Sequence, residues 1–236
     1  MFADKEVKAI MCVKGGFDCN TTFDYIDYEI IKNNPKIICG YSDITALTNI
    51  ITAKTDLVTF SAAGFKAITS WETDYAFKEI IKRFQNKNLD LGTEDDEYIT
   101  IQKGIAEGAL IGGNLSFVAR FVSGKYSLDF TDKILFIEEF GYESNPQFVN
   151  HYLYHLKQNG VFDKIKGIWV GNYDHESGIA LEKILLDVLD GEYNFPIIKS
   201  NNFGHCERKT AIPIGTIARI DTNEKTKIKL IENCVL

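Results

Sequence analysis

The sequence predicts an α/β fold whose first part is a parallel sheet covered by helices on both faces. Two observations lead to it. From Val7 to Phe84, short apolar runs alternate with longer segments of helical spacing. In addition, a buried-looking apolar run stops at Gly40, and a helix-compatible run starts just after Ser42.

Taken in order, Val7–Val13 is a strand ending in the loop Lys14-Gly15-Gly16. Thr21–Lys32 has helical spacing, with Phe23, Ile26, Ile30 and Ile31 available for one face. Residues 35–41 form the next strand, and a helix runs from Asp43 to about Lys54. Asp56–Ala62 is a third strand and Asp74–Phe84 an amphipathic helix. Residues 87–107 read as a linker between a first domain (1–86) and a second (108–236), with Tyr98–Ile101 a short strand near its far end. Its acid run, Glu94-Asp95-Asp96-Glu97, reads as solvated surface, because it lacks the glycine and the spacing of a calcium loop.

In the second part, Gly108–Gly113 leads into a helix around Leu115–Val122, and Lys133–Glu138 is a strongly apolar strand ending in carboxylates. Pro146–Gln158 is a helix whose proline suits the first turn and whose Gly160 suits the stop. Gly167–Gly171 is a strand and Ala180–Leu189 a helix. The tail, Ile212–Ile220 and Lys225–Ile231 around Asp221-Thr222-Asn223-Glu224, reads as a β-hairpin.

With 236 residues the chain can build one large domain or two small ones with real cores. A net charge of -7 argues against a broad nucleic-acid-binding face. No apolar stretch approaches membrane-spanning length and no signal-peptide pattern is present, so the expected location is cytoplasmic, with no membrane partner. The five cysteines lack metal-ligand spacing. Cys12, Cys39 and Cys234 sit in apolar runs and read as core thiols in a reducing compartment.

Ser42 is the candidate nucleophile. A serine on a strand-to-helix turn is held out of the sheet, with the first amides of the helix aimed at whatever it attacks. Such a nucleophile needs a base, and the base an orienting acid. Among four histidines, His151 and His155 lie four apart and could share a metal, but no third ligand accompanies them, and an exposed helix face is the favoured reading. His175 sits in a polar loop. His205, in Asn202-Phe203-Gly204-His205 after a β-like run, is better placed to serve as base, and Glu138 ends the strand 133–137 as candidate acid. The Asp43 amide and the Gly15-Gly16 turn are candidate oxyanion donors, since glycine lets backbone approach a reacting carbonyl. Arg208 or Lys209 could meet a substrate carboxylate, though solvated surface charge is the favoured reading of both. This chemistry calls for no metal and no organic cofactor.

Together these segments resemble the LD-carboxypeptidase family of serine peptidases, which includes the microcin C immunity peptidases. Val13-Lys14-Gly15-Gly16-Phe17 is similar to the family's Arg-Gly-Gly-Tyr-Gly loop, with Lys14 in place of arginine and Asp18 in place of the glycine after the aromatic. Asn34-Pro35-Lys36 through Gly40-Tyr41-Ser42-Asp43-Ile44-Thr45-Ala46-Leu47 resembles its nucleophile elbow. Leu135-Phe136-Ile137-Glu138-Glu139, followed by Gly160-Val161-Phe162-Asp163-Lys164, resembles its acid strand and the helix end after it. Phe203-Gly204-His205 with Ile212-Pro213-Ile214-Gly215 resembles its histidine loop.

The resemblance implies a Ser42, Glu138, His205 triad, with Glu139 and Glu143 as rival acids. It implies a Rossmann- or flavodoxin-like N-terminal domain, shortened at its start, and a mixed C-terminal domain with a β-barrel-like portion; the site lies between them. The implied substrate is a small peptide: a cytoplasmic muropeptide losing its terminal D-alanine, or, as the alternative, a peptidyl or aminoacyl nucleotide. Other readings are an inactive paralogue that binds muropeptide and an α/β-hydrolase-type esterase, the latter weakened by Ile44 at a position that elbow gives to a small residue. A homodimer is compatible with such families.

Overall fold

The computed structural model describes residues 1–66, 74–85, 89–93 and 95–235; residues 86–88 and Glu94 of the expected linker lie outside the described residues. Strands are β1 (Ala9–Met11), β2 (Ile37–Gly40), β3 (Thr59–Ser61), β4 (Ile99–Gln102), β5 (Ile105–Asn114), β6 (Lys133–Glu139), β7 (Gly167–Tyr173), β8 (Ile197–Lys199), β9 (Ile212–Ile214), β10 (Ile217–Asp221) and β11 (Ile228–Leu230). Helices are α1 (Tyr28–Asn33), α2 (Ile44–Thr55), α3 (Asp74–Phe84), α4 (Leu115–Ala119), α5 (Pro146–Gln158) and α6 (Leu181–Leu189). No helix among the described residues is long and apolar enough to cross a membrane.

The smaller sheet has the order β1-β2-β3-β9. Its first three strands are parallel, and β9 closes it antiparallel to β3. The larger sheet runs β11-β10-β5-β6-β7-β8-β4. Its centre, β5 to β8, is parallel, and the flanking pairs are antiparallel. It curls into a half-barrel: residues 89–91 hydrogen-bond along β11 at one edge, while β4, a few residues later, pairs with β8 at the other. The fold is therefore mixed α/β, with a parallel sheet and a barrel-like one, as the sequence led us to expect.

The central strand β6 is buried from Ile134 to Glu139, as a parallel strand covered on both faces must be. Ile134 and Phe136 face the inside of the curl with Trp169 and Phe203, whereas Leu135 and Ile137 face the helices α5 and α6. Helix α2 joins the two sheets. Its buried Asn49 donates to the Gly112 carbonyl (2.8 Å) and accepts from the Gly112 amide (3.1 Å). Thr45 Oγ1 accepts from the Asn114 amide one turn earlier (3.2 Å). Gly113, at φ +132°, lets β5 come this close, since a Cβ there would stand 2.5 Å from Thr45 Oγ1.

Three expected elements differ. The helix expected over Thr21–Lys32 is a 3₁₀ helix (Cys19–Tyr25) followed by α1, because Ile26 is extended and Asp27 caps the second piece by accepting from the Ile30 amide (3.0 Å). The helix expected to reach Val122 stops at Ala119, where i→i−3 bonds tighten the turn. The tail is not one hairpin: β10 and β11 pair, but Ile212–Ile214 crosses to the smaller sheet against β3.

Candidate active site

Ser42 follows β2 and precedes α2 by one residue, with φ of +64°. This left-handed conformation is costly for a serine and holds its side chain away from the sheet. The turn is fixed by the Thr45 amide donating to the Ser42 carbonyl (2.8 Å). Glycines pack the loop after β1 against it. A Cβ on Gly15 would lie 2.7 Å from Ser42 Cβ, 2.9 Å from its Oγ and 3.2 Å from the Asp43 amide nitrogen. Only glycine allows that approach.

The Asp43 side chain faces the other way. Its carboxylate accepts from the amides of Asp18 and Cys19 (3.1 Å each), so it ties the glycine loop to the start of α2. Burial and the charge of Asp43 push the Cys19 thiol up to about 12, so this thiol is no rival nucleophile.

His205 comes from the loop after β8, anchored by Phe203. The Phe203 ring fills the curl against Trp169 (centroids 4.5 Å apart), in space that a Cβ on Gly171 would occupy. Asn172 holds the loop at both ends: its amide donates to the Phe203 carbonyl (3.0 Å) and its side chain to the His205 carbonyl (2.9 Å). Gly204, at φ +95°, passes directly over Glu138, where a Cβ would lie 2.7 Å from Glu138 Cγ.

His205 therefore meets Glu138 twice on one oxygen. Oε2 lies 2.8 Å from Nδ1 and accepts the His205 backbone amide at 3.2 Å. Glu138 is 2% exposed. The imidazole is stacked on Phe140 (4.6 Å, 9° between planes) and meets the Tyr41 ring edge-on at 5.0 Å. Bonding through Nδ1 leaves Nε2 on the outer side of the ring.

The rival carboxylates go elsewhere. Glu139 accepts from Asn114 Nδ2 (2.7 Å), the Ser116 amide (2.7 Å) and its neighbour Phe140 (3.0 Å). Burial first, and the charge of Glu138 second, push its carboxyl up to about 7. Glu143 lines the cleft, and among the described residues no hydrogen bond joins it to His205.

Ser42 and His205 both line a cavity of about 420 Å³ with Gly15, Gly16, Phe17, Asn114, Ser116, Phe140 and Tyr142, and a second of about 220 Å³ with Lys14, Tyr41 and Lys66. No hydrogen bond joins Ser42 Oγ to the imidazole among the described residues; such bonds often tighten only when substrate is bound. A cavity of about 450 Å³ lies by Pro35, Leu57 and Val235, at the opposite end of β2. In open parallel sheets, ligands bind beyond the carboxyl ends of the strands, which is the Ser42 end.

Of the two cations favoured from the sequence as solvated surface charge, Arg208 is half exposed and Lys209 is buried. The Arg208 guanidinium is paired with Asp96 at 3.0 Å, and Lys209 is 2% exposed with Nζ 3.6 Å above the Tyr41 ring. Neither lines the cavities around Ser42. His151 and His155 stand 6.5 Å apart on α5, and among the described residues no group of three or more His, Cys, Asp or Glu could hold a metal.

The family model for the LD-carboxypeptidase N-terminal domain matches residues 1–62, and that for the C-terminal domain matches residues 107–220. The chain is 33% identical over 239 residues to the "Probable murein peptide carboxypeptidase" of Bacillus subtilis strain 168, covering 97% of this chain and 73% of the relative. This chain belongs to the LD-carboxypeptidase family. It is also similar to the microcin C7 self-immunity protein MccF of Escherichia coli, at 28% identity over 93% of this chain and 73% of that protein. Among solved structures, an MccF-like protein from Bacillus anthracis superposes with a TM-score of 0.86 at 30% identity, covering 98% of this chain and 78% of that one. LD-carboxypeptidase relatives bearing peptidase names make this chain a member of a hydrolase family.

Sequence reasoning missed Asn114 and Ser116, which the cleft and Glu139 share. Their signal was weak: Gly112-Gly113-Asn114 reads as a strand end, and only the pairing of β5 with β6 sets Asn114 opposite Glu138.

Proposed function

We propose that the chain is a serine peptidase in which Ser42 is the nucleophile, His205 the general base and Glu138 the acid that orients it. The observation that carries this reading is the Glu138–His205 pair: a buried carboxylate on Nδ1, with the imidazole and a strained serine lining the same cleft. His205 removes the Ser42 proton as Oγ attacks the scissile carbonyl, and Glu138 fixes the tautomer and stabilises the imidazolium. The Asp43 and Gly16 amides bind the developing oxyanion, a term worth roughly 3 kcal/mol per donor. His205 then protonates the leaving amine, which departs as the C–N bond breaks. A water, deprotonated by the same imidazole, cleaves the acyl ester and regenerates Ser42.

The substrate supported best is a cytoplasmic muropeptide that loses a terminal D-alanine. The Bacillus subtilis relative named "Probable murein peptide carboxypeptidase" favours it. A second reading has its own support. MccF has been solved in complex with aspartyl sulfamoyl adenosine (TM-score 0.85, 25% identity). Here the exposed rings of Phe17, Phe140 and Tyr142 line the larger cavity, where a flat base could stack.

The test is D-alanine release from a murein tetrapeptide beside hydrolysis of aspartyl sulfamoyl adenosine. The muropeptide reading expects turnover of the first, falling by about 10³-fold or more in Ser42→Ala and His205→Ala. Turnover of the nucleotide alone favours the immunity-type substrate. Turnover of neither by the wild-type chain, with tight muropeptide binding, contradicts the peptidase reading and fits a binding protein.

A further inference from the structure

The acid run expected as solvated surface has a buried member. The Asp96 side chain is 3% exposed, whereas its neighbour Asp95 is exposed. Asp96 collects donors on both oxygens. Oδ2 accepts from the Tyr75 hydroxyl (2.7 Å) and the Thr93 amide (2.6 Å), and Oδ1 from the Arg208 guanidinium (3.0 and 3.3 Å). Burial pushes its carboxyl up, but these bonds and one from Asn202 outweigh it and hold the group below the usual carboxylate range.

The loop that carries His205 is gripped from this point. At its neck the Thr210 amide donates to the Asn202 carbonyl (2.7 Å). Arg208 reaches Asp96 from within the loop, and its guanidinium lies over the Tyr75 ring, 4.3 Å from the centroid. Tyr75 gives its one hydroxyl proton to Asp96, so Thr210 Oγ1, 3.2 Å away, donates to the phenol oxygen. Between these two anchors, Lys209 sets its ammonium over Tyr41, whose ring meets the His205 imidazole edge-on. Asp96 and Tyr75 therefore hold the neck of the loop, while Glu138 and Asn172 hold its tip.

We infer that Asp96 is a positioning residue: bonded to Tyr75 and Arg208, it sets the loop from Asn202 to Thr210 so that the His205 imidazole keeps its bond to Glu138 and its aim at Ser42. This rests on the reading of His205 as base and adds what fixes its geometry from outside the cleft. Asp96 lines neither cavity around Ser42, so it acts through the loop and not on substrate. A loop freed at its neck tilts at its tip, and a misplacement of about 1 Å at the reacting atoms costs on the order of 10²-fold in rate.

The test reads two quantities on the full-length chain. One is the rate at which a fluorophosphonate labels Ser42. The other is the far-downfield proton resonance of His205 Nδ1–H donating to Glu138, assigned by its absence in His205→Gln. Asp96→Asn and Arg208→Gln are each expected to slow labelling by about tenfold or more and to broaden that resonance. The double variant should be no slower than the slower single, because both act through one pair, and Arg208→Lys should recover part of the rate. Asp95→Asn, which removes the neighbouring exposed charge, should label at the wild-type rate. Circular dichroism reports the fold of each variant, and the half-exposed Arg208 carries the test if Asp96→Asn does not fold. In folded Arg208→Gln, either a wild-type labelling rate or an unchanged resonance overturns the inference, as does equal slowing by Asp95→Asn. A wild-type chain that takes no label, with a resonance that still broadens in Arg208→Gln, would refute the nucleophile and leave the positioning role standing.

Discussion

Glu138 and Glu139 are adjacent on β6, and alternation along the strand sends them to opposite faces. Glu138 reaches His205, whereas Glu139 collects three donors around Asn114. Because the Glu139 carboxyl is raised from 4.5 to about 7, the native chain holds a proton that the unfolded chain has already lost. Its contribution to stability is complete below pH 4.5 and fades as pH rises through about 7. Urea midpoints of the wild type should therefore fall over that window relative to Glu139→Gln, by a difference worth up to ~3 kcal/mol. Parallel midpoint curves would refute it. Ser42, His205 and Glu138 were legible as residue types in the sequence, but the choice among three glutamates was not a matter of composition. It follows from which face of β6 looks into the curl, and that needs the neighbouring strands.

Loops present Ser42 and His205, whereas strand β6 presents Glu138, and Gly15 and Gly204 bring the loops against Ser42 and Glu138. Gly204→Ala forces a Cβ to within 2.7 Å of Glu138 Cγ at a positive φ. We expect a stability loss of about 1–2 kcal/mol. Activity should fall by ~10²-fold, because the imidazole shifts relative to Ser42. An active Gly204→Ala enzyme with unchanged kinetics would show that the loop is not held by this contact. Helices with strong periodicity, such as α3 and α5, were readable almost to the residue. The Thr21–Lys32 segment was not, since its apolar spacing is helical throughout and only the Asp27 side chain, bonding to Ile30, breaks it in two.

At the scale of the whole molecule, α2 and β9 bind the two sheets into one body. Helix α2, which follows Ser42, hydrogen-bonds β5 of the larger sheet through Asn49, and β9 returns from the His205 loop to pair with β3. Asn49→Ala leaves both polar groups of Gly112 buried and unpaired by that side chain, so it should cost about 2–3 kcal/mol. It should also lower activity, because the serine and the histidine sit on opposite sides of this joint. A wild-type-like unfolding midpoint would contradict that coupling. The crossing of Ile212–Ile214 was invisible in the sequence: an apolar run before a turn pairs with whichever edge is open, and local pattern does not say which sheet offers it. The alternation that announced a parallel sheet was visible from the start, because it records burial on both faces rather than partner choice.

The central claim is that the hydroxyl of Ser42 is activated by the His205–Glu138 pair. Intact-mass analysis after treatment with a fluorophosphonate, followed by peptide mapping, tests it most directly. The account predicts a single adduct on the peptide carrying Ser42, absent in Ser42→Ala and formed far more slowly in His205→Ala. An adduct on any other residue, or one that persists without the Ser42 hydroxyl, would contradict it.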